Sequence, residues 1–169
     1  MMPTLSKKLI KMDYMSIWLS SSRLKRIILD ILEWTVIIGV GFLFPYPKLP
    51  FPLISRMAGV ILIVAGFFIR RAAGSANKQF LQPKEKIERL AATEIYSKIR
   101  HPCYTGFIFY YFGCLFIFGF LSMLIPIFVF SCIFYDSAVR EENFLINRFG
   151  KDYEEYMKKV PYRFIPKVF

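Results

Sequence analysis

The stretch CYTGFIFYYFGCLFIFGFLSMLIPIFVFSCIFY, Cys103 to Tyr135, runs for 33 residues without a charged side chain. As one α-helix it would measure about 50 Å, against a hydrocarbon core of about 30 Å, and tilt does not absorb that excess. Gly119-Phe120-Leu121-Ser122 offers the break, with Pro126 in the first turn after a Ser122 cap. The stretch therefore predicts a tight hairpin of two short membrane helices.

Composition agrees. Of the 169 residues, 56% are hydrophobic and 18% aromatic, 19 of them Phe, yet the net charge is +11. Basic and apolar segments are separated along the chain, as contact with anionic lipid headgroups requires. Nucleic acid, the usual partner of so basic a chain, does not explain why the charges flank apolar spans. Cys103, Cys114 and Cys132 show no CxxC spacing, so neither a metal site nor a disulfide framework is indicated.

Working outward from the hairpin, 1–169 reads as a single domain, an all-α integral membrane protein with about four transmembrane helices. Residues 1–26 mix Lys7, Lys8, Lys11, Arg23, Lys25 and Arg26 with apolar side chains, a pattern for an amino-terminal interfacial helix rather than a signal peptide. Residues 27–71 hold the first two spans, Ile27 to Phe44 and Leu53 to Ile69. The loop between them carries four prolines from Pro45 to Pro52 and is expected to be short and stiff. Gly59 and Gly66 share one face of the second span, where another helix can approach closely. Arg70 and Arg71 are expected to stop that helix. Residues 72–102 read as a cytosolic connector of loop and short helix, 103–135 as the hairpin, and 136–169 as cytosolic helices. In the last segment Asp136 to Arg148 continues as helix, Gly150 provides a left-handed cap, and Lys151 to Val160 ends at Pro161. With both termini cytosolic, only Lys48 and Arg56 of the 23 Lys and Arg lie near the outer face, as the positive-inside rule favours for this multi-pass arrangement.

Two clusters carry chemistry. In Arg100-His101-Pro102, the only histidine of the chain precedes a proline suited to the first helical position, whose following amides and helix dipole favour an anionic group. Tyr104 and Gly106 follow on the same turn, and glycine leaves room for a flat ligand. The same residues also suit a headgroup belt. The second cluster is Arg140-Glu141-Glu142. Its two carboxylates point about 100 degrees apart on a helix, so one faces the bundle and the other water. Phe134, Ala138 and Leu145 bracket Glu141, while Arg140 and Asp136 stand at surface-pair spacing. Asp30 and Glu33 are expected to pair with Arg70 and Arg71.

The ordered set Arg100-His101-Pro102-x-Tyr104-x-Gly106, apolar hairpin, Glu141-Glu142, Phe149-Gly150-x-x-Tyr153-x-x-Tyr156 and Val160-Pro161-Tyr162-Arg163-Phe164-Ile165-Pro166 resembles the isoprenylcysteine carboxyl methyltransferase family and its phospholipid N-methyltransferase relatives. The resemblance covers roughly residues 78 to 166. It implies a membrane enzyme that takes S-adenosyl-L-methionine from the cytosol and a lipophilic methyl acceptor from the bilayer. The cofactor contacts it implies are Glu88, Arg89, Leu90 and Ala91 in the connector, then Tyr96, His101, Pro102, Cys103, Tyr104 and Gly106, with Glu141 opposite. Gln79 or Gln82 would supply a connector glutamine. Glu141, Glu142 and Arg140 are the candidate catalytic residues, the two acids as general bases where the acceptor is an ammonium. Two positions depart from the family pattern: Glu94 stands near a usual glycine, and Ser137 where prenylcysteine methyltransferases carry an arginine. The acceptor is thus a prenylcysteine carboxylate or a lipid amine. A non-catalytic basic membrane protein is the alternative from another class.

Overall fold

The computed structural model describes residues 23–78 and 87–167. The interfacial helix expected over 1–26 lies almost wholly outside the described residues, as do Gln79 and Gln82. The described chain is all-α: α1 (Arg23–Leu43), α2 (Pro52–Ala76), α3 (Pro102–Phe118), α4 (Leu124–Phe149) and α5 (Lys151–Lys159), with 3-10 turns at Glu94–Ser97 and Leu121–Met123. Among the described residues two stretches, Pro52–Ala76 and Leu121–Phe149, are long and apolar enough to cross a membrane, with only 17% and 33% of their most apolar part buried within the protein. Side chains such as Ile61, Phe68, Ile125 and Phe128 stand outward, more than half exposed. Such faces need a non-aqueous neighbour, and the protein is a membrane protein. α3 is apolar but spans 17 residues, and α1 carries Asp30 and Glu33.

The hairpin forms where the sequence places it. Gly119 closes α3 with φ 74°, the left-handed conformation that glycine adopts without a steric penalty, and its N–H donates to Leu115 O at 2.7 Å. Ser122 does not cap α4. A 3-10 turn intervenes, and the Ser122 hydroxyl instead donates to Phe44 O at 2.6 Å, tying the hairpin to the end of α1. Pro126 sits in the first turn of α4, where its missing N–H is not needed.

α2 does not end at Arg70 and Arg71 but continues to Ala76. Arginine is a good helix former, so the charges end the apolar span and not the helix. Gly59 and Gly66 meet α3 as their shared face predicts. A Cβ on Gly59 would lie 2.7 Å from Gly113 O, and one on Gly66 would lie 2.9 Å from Gly106 O. Two glycines on each helix thus let the backbones of α2 and α3 touch. Against this pair, Ile37 of α1 and Ile127 and Phe134 of α4 complete a core around Tyr111, Leu115 and Met123. Glu33 is buried there and accepts a hydrogen bond from the Tyr111 hydroxyl. Arg70, expected as a partner for these acids, lies instead over the Phe107 ring.

Candidate functional site

The site grows from the start of α3. Pro102 occupies the first turn, and His101 is the residue before it, with φ −124° and ψ 58°. The segment after α5 then doubles back over this start: Arg100 N–H donates to Tyr162 O at 3.0 Å and His101 N–H to Arg163 O at 2.9 Å. The Thr105 hydroxyl reaches Phe164 O at 2.9 Å. Residues 160–166 therefore form a strap across the first turn of α3. Their only cation, Arg163, is brought over the end of α4.

Glu142 lies beneath the strap, 3% exposed. It accepts from Arg100 Nε at 2.9 Å, from His101 Nε2 at 3.1 Å and from Arg163 Nη2 at 2.9 Å. A carboxylate only accepts, so His101 carries a proton on Nε2. Arg100 also donates from Nη1 to Val160 O at 3.0 Å. Two guanidinium groups on one carboxylate are charge-assisted and bind the strap, α3 and α4 together. The hydrogen bond to Glu142 pushes the Arg163 pKa up.

Glu141, one position earlier, has a different environment. Its side chain is 27% exposed, its Oε2 stands 3.8 Å from His101 Nδ1, and it accepts from the Tyr104 hydroxyl at 3.3 Å. The Tyr104 ring is stacked between His101 (5.7 Å between centroids) and Phe134 (5.3 Å). Periodicity along α4 leaves open which acid is enclosed, and the structure encloses Glu142 although the apolar bracket centres on Glu141. The strap and Arg100 enclose Glu142, a tertiary effect that periodicity along one helix does not carry.

Other site candidates divide in the same way. Tyr96, Cys103 and Tyr104 are buried at this end. The Tyr156 hydroxyl donates to Tyr96 O at 2.7 Å, and burial pushes the pKa values of Tyr96, Tyr153 and Tyr156 up, which keeps these phenols neutral. Leu90 packs on the Tyr153, Tyr156 and Val160 cluster, and Ala91 on the main core, while Glu88 and Arg89 are exposed. Gly106 does not leave a gap for a ligand: its missing side chain is where the Arg70 stem and the α2 backbone pass. Arg140 is not drawn into the cluster but pairs with Asp136 at 2.8 Å, with 40% and 58% of the two side chains exposed. Among the described residues no group of three metal-ligating side chains occurs.

Sequence reasoning quoted Arg100 and Arg163 within motifs but gave neither a role, and it passed over Thr105. Arg163 had a visible signal, a lone cation in an apolar and aromatic strap. Arg100 had one too, adjacent to the only histidine.

Residues 54–152 match the phospholipid methyltransferase family. The chain belongs to that family. It is 33% identical over 130 residues to the protein-S-isoprenylcysteine O-methyltransferase of Saccharomyces cerevisiae, covering 71% of this chain and 54% of that protein. With the enzyme of the same name from Schizosaccharomyces pombe it shares 35% over 91 residues, 53% of this chain and 39% of the relative. A Delta(14)-sterol reductase of Mus musculus is 27% identical over 152 residues, 80% of this chain and 36% of the reductase. The chain thus spans about half the length, or less, of these relatives. The family match ends at residue 152, so the strap that completes the Glu142 cluster lies beyond it in this phospholipid methyltransferase family member.

Proposed function

We propose that this chain transfers a methyl group from S-adenosylmethionine to a lipophilic acceptor, the carboxylate of a prenylated cysteine, at the cytosolic end of a four-span bundle with both termini cytosolic. The observation that carries the reading is the convergence of His101, Tyr104, Glu141 and Glu142 at one end of the bundle, in a chain whose residues 54–152 match a methyltransferase family.

The residues present suit the cofactor. A carboxylate offers about four acceptor positions, and Tyr104 takes one on Glu141. The others would receive an ammonium or ribose hydroxyls, and the stacked rings beside Glu141 suit a sulfonium cation. Tyr96 and the 88–91 segment would complete the binding surface. When bound, the cofactor supplies an electrophilic methyl group that a nucleophile takes by direct displacement. The protein's share of the work is alignment and exclusion of water, worth several kcal/mol at about the scale of other proximity effects. Glu142 is surrounded by Arg100, His101 and both Nε and Nη2 of Arg163 and serves as an anchor. Glu141 is the acid left with spare acceptor capacity, so it would take the proton where an acceptor needs a base.

A second reading replaces the acceptor by a phospholipid or other lipid amine. The family matched is that of phospholipid methyltransferases, and Ser137, buried on α4, puts no cation where the resemblance calls for one. Purified protein in lipid nanodiscs, given labelled S-adenosylmethionine with a farnesylated cysteine analogue or phosphatidylethanolamine, decides the question. Label in the cysteine analogue supports the first reading and label in the lipid the second. No binding of S-adenosylmethionine at all sinks both.

A further inference from the structure

Arg70 is the charged group that the reading above leaves without a task. Its guanidinium carbon lies 3.7 Å from the centre of the Phe107 ring and 5.9 Å from that of Tyr110. Its Nη1 is buried and has no hydrogen-bond partner among the described residues. A guanidinium carries donors and no acceptor, so this position is an unsatisfied donor. Buried polar groups are nearly always paired, and the described residues supply no partner for this one. Its position is set rather than accidental. The stem passes where Gly106 has no side chain, and the guanidinium carbon is held over the Phe107 ring. Gly106 lies in the opening turns of α3, just after His101 and Tyr104, which both approach Glu141. The orphaned donor thus belongs to the same end of the bundle as the Glu141 cluster.

We infer that Arg70 binds the carboxylate of a ligand lodged where α2 and α3 meet the Glu141 end of the bundle. A planar fork on a carboxylate is a bidentate, charge-assisted pair. The inference rests on the methyltransferase reading, under which two molecules carry such a group: the amino-acid moiety of the methyl donor and the head of an acidic acceptor. Stacking on an aromatic ring holds the cation in place until either arrives.

The test is equilibrium binding by full-length protein in nanodiscs, comparing wild type, Arg70→Gln, Arg70→Lys and, as a control at the exposed neighbour, Arg71→Gln. The probes are S-adenosylhomocysteine, methylthioadenosine, farnesylated N-acetylcysteine and the methyl ester of the last. If the donor supplies the carboxylate, Arg70→Gln loses at least tenfold in affinity for S-adenosylhomocysteine and none for methylthioadenosine, which lacks that group. If the acceptor supplies it, S-adenosylhomocysteine binding is unchanged and the preference for the free acid over its ester disappears. Arg70→Lys keeps the charge without the fork and falls between, and Arg71→Gln matches wild type. Without ligand, the unfolding midpoint of Arg70→Gln does not fall below that of wild type. Should that variant not fold, the lysine variant carries the same comparison. Wild-type affinities for all four probes in both Arg70 variants would overturn the inference. If wild type binds none of them, the methyltransferase reading fails and takes this one with it.

Discussion

Where the 44–51 loop meets the hairpin turn, main-chain groups hold the bundle together. Leu49 N–H donates to Gly119 O at 2.7 Å and Leu121 N–H to Pro47 O at 3.1 Å, with the Ser122 hydroxyl on Phe44 O. At the opposite end the joining is done by charge: Arg100, His101 and Arg163 converge on Glu142 from α3 and the strap. The first end relies mainly on backbone groups and a left-handed glycine, with one side-chain donor, Ser122. The second depends on particular residues, and the partly exposed Glu141 stands at its edge. The comparison separates a structural closure from a site. Within the site it separates an acid that anchors from an acid that remains available.

Removing the anchor should do most damage. Glu142→Ala leaves Arg100 and Arg163 without their counter-charge and is expected to cost about 3–5 kcal/mol, seen as a lowered midpoint of thermal unfolding in detergent. A shift under about 1 kcal/mol would mean that charge does not hold this end together. The α2 and α3 seam that joins the two ends comes next. Gly59→Ala pushes a Cβ to 2.7 Å from Gly113 O and should cost about 1–3 kcal/mol by overpacking. Gly39→Ala, with nothing within 4 Å, should be neutral or gain up to about 1 kcal/mol from helix propensity. Equal effects at the two glycines would contradict the close seam. The strap itself can be loosened by Thr105→Val, which strips Phe164 O of its hydroxyl donor. A loss of about 1 kcal/mol is expected, along with faster protease cleavage between Val160 and Pro166. Smallest of all, Arg140→Ala removes an exposed pair with Asp136 worth about 0.3–0.5 kcal/mol and should leave ligand binding untouched.

Much of this architecture is legible from residues alone, because it rests on rules that act along the chain. An uncharged run too long for one crossing has to bend, and Gly119 is where it bends. Glycines seven apart have to face a neighbour, and Gly59 and Gly66 face α3. The site was legible only in its members. Arg100-His101 and Glu141-Glu142 stand out in sequence, but which acid is enclosed depends on Arg163, brought back by a strap some twenty residues downstream. Gly106 and Arg70 misled for the same reason: the space beside Gly106 is filled by Arg70 from another helix, which draws that cation away from its expected acidic partner. Cross-element packing of this kind leaves no periodic trace.

Glu141 and Glu142 have different tasks, and this difference is open to direct measurement. Titrating S-adenosylmethionine into wild type and Glu141→Gln in nanodiscs, with unfolding midpoints measured on the same samples, addresses it most directly. A midpoint within about 1 °C of wild type is expected, because glutamine keeps an acceptor for the Tyr104 hydroxyl, together with at least a tenfold loss of affinity from one missing charged partner. Wild-type affinity in Glu141→Gln would contradict this division of tasks.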